Sequence, residues 1–289
     1  MIKFITSIFL IFILSCNFKN NLLEEYATLD FHKGDIWSLD FSPNNKHLVS
    51  GSADSKIVIW DINLKDKIKV FEEFYRAVYS VKYSNSGDFI VASSYDGLVK
   101  IIRLNENKVD TYKEHLLAVN NIDIHKSDKF VVSSGSDDRI KVWSTRNLKT
   151  FFDFQANNNI KIKVKHVKFS PDGYKVFYAN TDGTLKIFNL KQDKIEKILD
   201  LKSGIISSID FSPDSKEFAC SFSDKKIRIY DSVTLKEKKS FLAHNWNVVQ
   251  VKYSNNGKYI ASISHDMKLN LWNRNGELLY SISPNLKNA

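Results

Sequence analysis

The chain has 289 residues, a formal net charge of +9 and only two cysteines, which leaves room for one large β domain or two ordinary ones and gives no support to a disulfide framework. The charge comes from 36 lysines against six arginines spread along the whole chain. It therefore reads as solvated surface with a smaller contribution from attraction to anionic headgroups, and not as the clustered arginine of a nucleic-acid binder. Hydrophobic residues are 43% and aromatics 13% of the chain, enough for a sizeable core.

The first predicted element is an apolar run from position 4 to position 14, eleven residues long. A helix needs about 20 apolar residues to cross a bilayer, so the run is too short to span. A positive start at Met1 and Lys3, an apolar middle and small Ser15 before a cut fit a signal peptide. The order Ile13, Leu14, Ser15, Cys16 resembles the lipobox of bacterial lipoproteins. That resemblance implies lipidation of Cys16 as the first residue of the mature chain. The alternatives are an ordinary secretory signal cut near Cys16 and a buried N-terminal strand. The expected layout is a signal peptide at 1–15, a lipidated cysteine and short tether at 16–25, a repeat domain at 26–283 and a tail at 284–289.

From there the sequence repeats itself. The stretch "DSKIVIW" from Asp54 recurs as "DGLVKII" from Asp96, "DDRIKVW" from Asp137, "DGTLKIF" from Asp182, "DKKIRIY" from Asp224 and "DMKLNLW" from Asp266. The leading aspartates are separated by 42, 41, 45, 42 and 42 residues. Aliphatic residues alternate with mostly basic ones in each copy, the period of a strand. Twelve residues before the aspartates stand Ser42, Ser84, His125, Ser170, Ser212 and Ser254, each opening a turn such as "SPNN" or "SPDG". Pro43, Pro171 and Pro213 take the second place of three of these turns, where a fixed φ suits chain reversal. Each unit thus reads strand, turn, strand, turn, strand and a looser fourth strand. The extra length before Asp182 belongs in a linking loop, with "QANNN" at 155–159 as the obvious site.

Four short strands in a repeat of 40 to 45 residues is a β-propeller blade. The copies resemble WD repeats, with the dipeptide itself at Trp60 and Asp61. The expected fold is all-β, a single propeller of six four-stranded blades. A seventh would need about 40 further residues. Both "EYATL" before His32 and "ELLYSIS" after Trp272 look like outer strands, so either end could complete the last blade.

Three copies share a polar pattern. His32, His115 and His244 lie 22 residues before Asp54, Asp137 and Asp266; Ser50, Ser133 and Ser262 lie four before; Trp60, Trp143 and Trp272 lie six after. In the other copies those positions hold Phe74, Ala92 and Ile102; Ile160, Tyr178 and Phe188; Lys202, Cys220 and Tyr230. The partners come together or not at all, as a buried network requires when an unpaired member costs about 1 to 3 kcal/mol. The WD-repeat resemblance implies a structural Asp-His-Ser-Trp tetrad, although the family's usual glycine before the histidine is here Phe31, Glu114 or Ala243. The alternative, Ser-His-Asp nucleophilic catalysis, sits badly with three copies, a tryptophan competing for each serine and no Gly-x-Ser-x-Gly elbow. No catalytic residue, metal site or cofactor is expected; His47, His125, His166 and His265 show no ligand spacing.

The resemblance also implies a partner-binding face at the histidine loops and aspartate turns. Carried over position by position, it selects Trp37, Tyr79 and Tyr95 in the first two copies, Lys163 and Lys165 in the fourth and His265 in the sixth; Trp246 stands beside that face. Clustered exposed aromatics are the material of interface hot spots. The expectation is a non-catalytic, lipid-anchored, extracytoplasmic scaffold for protein partners of the cell envelope. The rivals are a propeller hydrolase or lactonase with a channel site and a cytosolic scaffold.

Overall fold

The computed structural model describes residues 7–10, 27–113, 115–157, 159, 162–201 and 204–283. Cys16 and the tail at 284–289 lie outside them, as do Glu114, Ile160 and Lys202. The described residues form strands, turns and loops, with no helix among them. Two compact units are formed, one from 7–10 and 27–169, the other from 170–283.

Six four-stranded antiparallel sheets follow one another along the chain, each with its strands in sequence order. The fold is the expected six-bladed β-propeller class. In the first sheet the strands are Ile36–Phe41, His47–Ser52, Ile57–Asp61 and Asp66–Phe71. The same plan recurs in the other five, ending with Val248–Tyr253, Tyr259–Ser264, Leu269–Asn273 and Leu278–Ile282. The C-terminal strand therefore completes the sixth sheet. The N-terminal candidate, Ala27–Asp30, pairs instead with Ser7–Leu10, in the register Ser7 to Asp30 through Leu10 to Ala27.

The repeated serines explain the first turn. The N–H of the fourth turn residue donates to the serine carbonyl, from Asn45 to Ser42, Gly87 to Ser84, Gly173 to Ser170, Ser215 to Ser212 and Gly257 to Ser254, at 2.8 to 3.0 Å. Each serine Oγ also accepts the N–H five residues on, as from His47 and Lys175, both at 2.9 Å. The fourth turn residue has φ between 57° and 82° in every copy, which is why asparagine, aspartate and glycine recur there.

Third strands such as Ile57–Asp61 are buried on both faces, whereas outer strands such as Thr150–Gln155 alternate between half-buried and exposed. Neighbouring sheets share their cores. Val49, Ile57, Ile59 and Phe71 of the first pack with Val78, Val81, Ile90 and Ile102 of the second. In the second unit, Phe177, Leu185 and Ile187 pack with Ile209, Phe218 and Phe222. In these pairs one sheet covers a face of the next.

Candidate protein-interaction site

The histidine, serine, aspartate and tryptophan side chains of three copies lie within hydrogen-bonding distance of one another. In the first, His32 Nδ1 lies 2.9 Å from Asp54, its Nε2 2.7 Å from Ser50 Oγ, and Trp60 Nε1 donates to the same Oγ at 2.8 Å. The second has 3.1, 2.8 and 3.2 Å among His115, Asp137, Ser133 and Trp143; the third has 3.1, 2.8 and 2.9 Å among His244, Asp266, Ser262 and Trp272. One proton arrangement satisfies every member: indole N–H to serine Oγ, serine O–H to Nε2, and Nδ1–H to the carboxylate. The connectivity is that of a hydrolytic triad, but Ser50 and Ser133 have no exposed surface and the indole occupies their oxygen. A buried, doubly engaged hydroxyl has no approach for substrate.

The carboxylates fasten loops. Asp54 accepts N–H groups from Lys33 and Lys56, Asp137 from Leu116 and Arg139, and Asp266 from Asn245 and Lys268, at 2.9 to 3.2 Å. Burial opposes ionisation of all three, but these N–H groups and the histidines outweigh it and hold the carboxyls below the usual range. Burial also pushes the His244 imidazole down, against the pull of Asp266. The loop entering each first strand is thereby clamped to the turn after the second.

In the second copy apolar groups fill the same space. Phe74, Ala92 and Ile102 are buried in the core of the first two sheets. Asp96 keeps its bond from the Leu98 N–H, while its other oxygen is buried without a partner. In the fifth copy Asp224 turns to Arg228, at 2.5 and 3.2 Å.

The clamped loops carry the candidate binding residues, and the backbone aims them. The ladder between first and second strands shifts register between Ile36 and Ser38, between Val78 and Ser80, and between Val119 and Asn121. Trp37, Tyr79 and Asn120 are the extra residues of these β-bulges, which turn a side chain out of its ladder. All three line one concave cleft of about 440 Å³ with Ser136, Lys163, Val164 and Lys165. Trp37 and Tyr79 stack with centroids 4.4 Å apart, and Tyr95 meets Tyr79 edge-on at 5.9 Å. Trp37 is 46% and Tyr95 56% exposed. Burial and the neighbouring Tyr95 raise the Tyr79 phenol above its usual range. Lys163 donates to the Ser136 carbonyl at 3.2 Å, and Ser136 Oγ donates to Asn120.

Five of the seven partner-binding candidates thus gather in the first unit, with Tyr95 behind the cleft wall. In the second unit Trp246, 64% exposed, and exposed His265 lie on joined segments, since the His265 N–H donates to the Asn247 carbonyl at 3.2 Å. Cleft residue Val164 was not selected from the sequence. Another pattern was missed although it is written there: two residues before each turn serine or histidine, aspartate and lysine alternate along the six copies. Asp40 accepts from Lys82 Nζ and the Tyr83 N–H, both at 2.9 Å; Asp123 accepts the Phe169 N–H, and Asp210 the Tyr253 N–H. Each aspartate ties its first strand to the next. Burial works against charge on Lys82, but Asp40 and Asp123 overcome it and keep its ammonium above the usual range. Among the described residues no group of histidine, cysteine and carboxylate side chains is placed to hold a metal.

Repeated four-stranded blades with Asp-His-Ser-Trp clamps define a WD-repeat β-propeller, and residues 23–61 and 65–103 match the WD domain, G-beta repeat. The chain belongs to the family described as the NUP159/214 beta propeller, whose model matches residues 116–285. Relatives include eukaryotic translation initiation factor 3 subunit I of Vanderwaltozyma polyspora, 24% identical over 76% of this chain and 56% of its own length. Periodic tryptophan protein 2 of Arabidopsis thaliana is 24% identical over 87% of the chain and 23% of its own. The WD repeat-containing protein 55 homolog of Dictyostelium discoideum is 22% identical over 82% and 68%. The chain spans about half, or less, of the length of the first two.

Proposed function

We propose that this protein is a non-catalytic interaction scaffold, held at a membrane by lipid on Cys16 and exposed on the extracytoplasmic side, where it binds other envelope proteins. The observation that carries the scaffold reading is the Trp37-Tyr79-Tyr95 cluster, with Trp37 and Tyr95 exposed and Trp37 and Tyr79 set on β-bulges beside clamped loops. Rigid, solvent-facing aromatics supply large contact area at low entropic cost. The WD-repeat relatives support protein binding as the work of the fold. The anchor rests on the short apolar run and the placing of Ser15 and Cys16.

A cross-linked affinity capture from membranes, comparing the native chain with a folded Trp37→Ala, Tyr79→Ala, Tyr95→Ala variant, tests the scaffold. A partner captured by the native chain and lost with the variant is expected; identical capture removes this face from the reading. The anchor fails if Cys16→Ala leaves lipid labelling and membrane attachment unchanged.

A second reading has its own observation. Ser7–Leu10 pairs as a strand with Ala27–Asp30, which favours retention of the apolar start in a cytosolic scaffold. Intact mass separates the two, since cleavage before Cys16 removes fifteen residues.

A further inference from the structure

The cleft has a chemical character beyond its aromatics. Its cations are Lys163 and Lys165, which flank Val164 at the start of the strand Val164–Phe169. Val164 has no exposed surface while Lys165 is exposed, so the lysines point away from the core that takes the valine. Alternate residues of an extended chain lie about 7 Å apart on one face. Lys163 is steadied by the Ser136 carbonyl, whereas Lys165 has no hydrogen-bond or ion-pair partner among the described residues. Among the described residues no carboxylate lines the cleft. Opposite the lysines stands the Trp37-Tyr79 stack, flat and half-exposed, with the Asn120 amide between.

Building on the scaffold reading, we propose that the cleft takes an extended acidic peptide segment of the partner. Two carboxylates at alternate positions meet Lys163 and Lys165, and a neighbouring aromatic or large aliphatic side chain lies against Trp37 and Tyr79. Charge complementarity selects this occupant: a cationic or neutral segment would leave Lys165 unanswered, and two lysines at alternate positions match carboxylates on residues i and i+2 of a strand. Lysine suits this contact because its ammonium is a compact charge needing no bidentate geometry.

The test uses short synthetic peptides with glutamates at alternate positions beside one tryptophan, and the same peptides with glutamine in their place. Fluorescence anisotropy reads their binding to the full chain. The acidic peptide is expected to bind at least about tenfold more tightly than its glutamine twin, with the preference shrinking as salt rises. Lys163→Glu with Lys165→Glu should abolish the preference, and Trp37→Ala should weaken the acidic peptide; matching circular dichroism and melting temperature establish that the variants fold. Equal binding of both peptides, or a preference that survives charge reversal, overturns the acidic assignment. If Trp37→Ala still reduces membrane capture in that case, the scaffold reading stands without it; if it does not, both fall. Sedimentation with phosphatidylglycerol vesicles that is lost on charge reversal, without a peptide preference, assigns the lysines to lipid headgroups and also overturns the proposal.

Discussion

At the scale of single residues, the tetrads set the energetics. Ser133→Ala leaves the Trp143 N–H and His115 Nε2 without partners in a buried site, and should cost about 1 to 3 kcal/mol in urea denaturation. A change within error would show that the network adds nothing to stability. Trp143→Phe removes one donor and leaves serine and histidine bonded, so its polar penalty should be smaller, although the lost ring volume adds to it. The spacings of 22, four and six residues made these sites legible because turns and strands of fixed length separate the members. The buried orphan oxygen of Asp96 was not legible in the same way. It follows from where Phe74 packs, and Phe74 at the histidine position is silent about what it leaves unpaired.

At the scale of strands and sheets, contact between neighbours decides. A Cβ added to Gly51 would stand 2.7 and 2.8 Å from methyl groups of Val78 and Val81 in the next sheet. Gly51→Ala should therefore destabilise by about 1 to 3 kcal/mol, and restoring space with Val78→Ala should recover part of the loss; strictly additive effects in a double-mutant cycle would refute the contact. Lys82→Met removes the cation beside Asp40 while leaving the Tyr83 N–H bond. With both side chains partly solvated, the cost should be about 1 to 3 kcal/mol, below that of a fully buried pair. The blades themselves were plain in the repeat. Which terminal strand completes the sixth sheet was not, because both segments look alike; the short turn through Asn273 and Gly276 places Leu278–Ile282 at small loop-closure cost. The bulges that present Trp37 and Tyr79 were also hidden, since an extra residue in a ladder shows only against its partner strand.

At the scale of the whole molecule, pH should act mainly from the acid side. Asp54, Asp137, Glu217 and Asp266 are held below their ordinary values in the folded chain, and Asp214, bonded by Ser212 and Arg274, is pushed down to about 2. The unfolded chain then binds more protons in acid, so this stability is complete above the ordinary carboxylate range and drains as pH falls through the folded values. His244 acts in the same direction from a higher starting point: its folded imidazole is depressed from 6.5, so stability begins to fall as pH drops below about 6.5. Urea midpoints measured from about pH 7 down to about pH 3 should decline throughout; a rise on acidification would contradict the burial of these groups. The copies also differ in kind. Three hold the full polar set and the second holds the apolar Phe74, Ala92 and Ile102 in its place, and a copy moving one substitution at a time between these two arrangements passes through states with one or more stranded polar groups. Set against a total stability of about 5 to 15 kcal/mol, that valley is deep enough for selection to feel. Asp96, bonded to the Leu98 N–H through one oxygen while the other is buried without a partner, shows what such a stranded group is in the folded chain: half of its hydrogen-bonding capacity holds a turn and half goes unanswered.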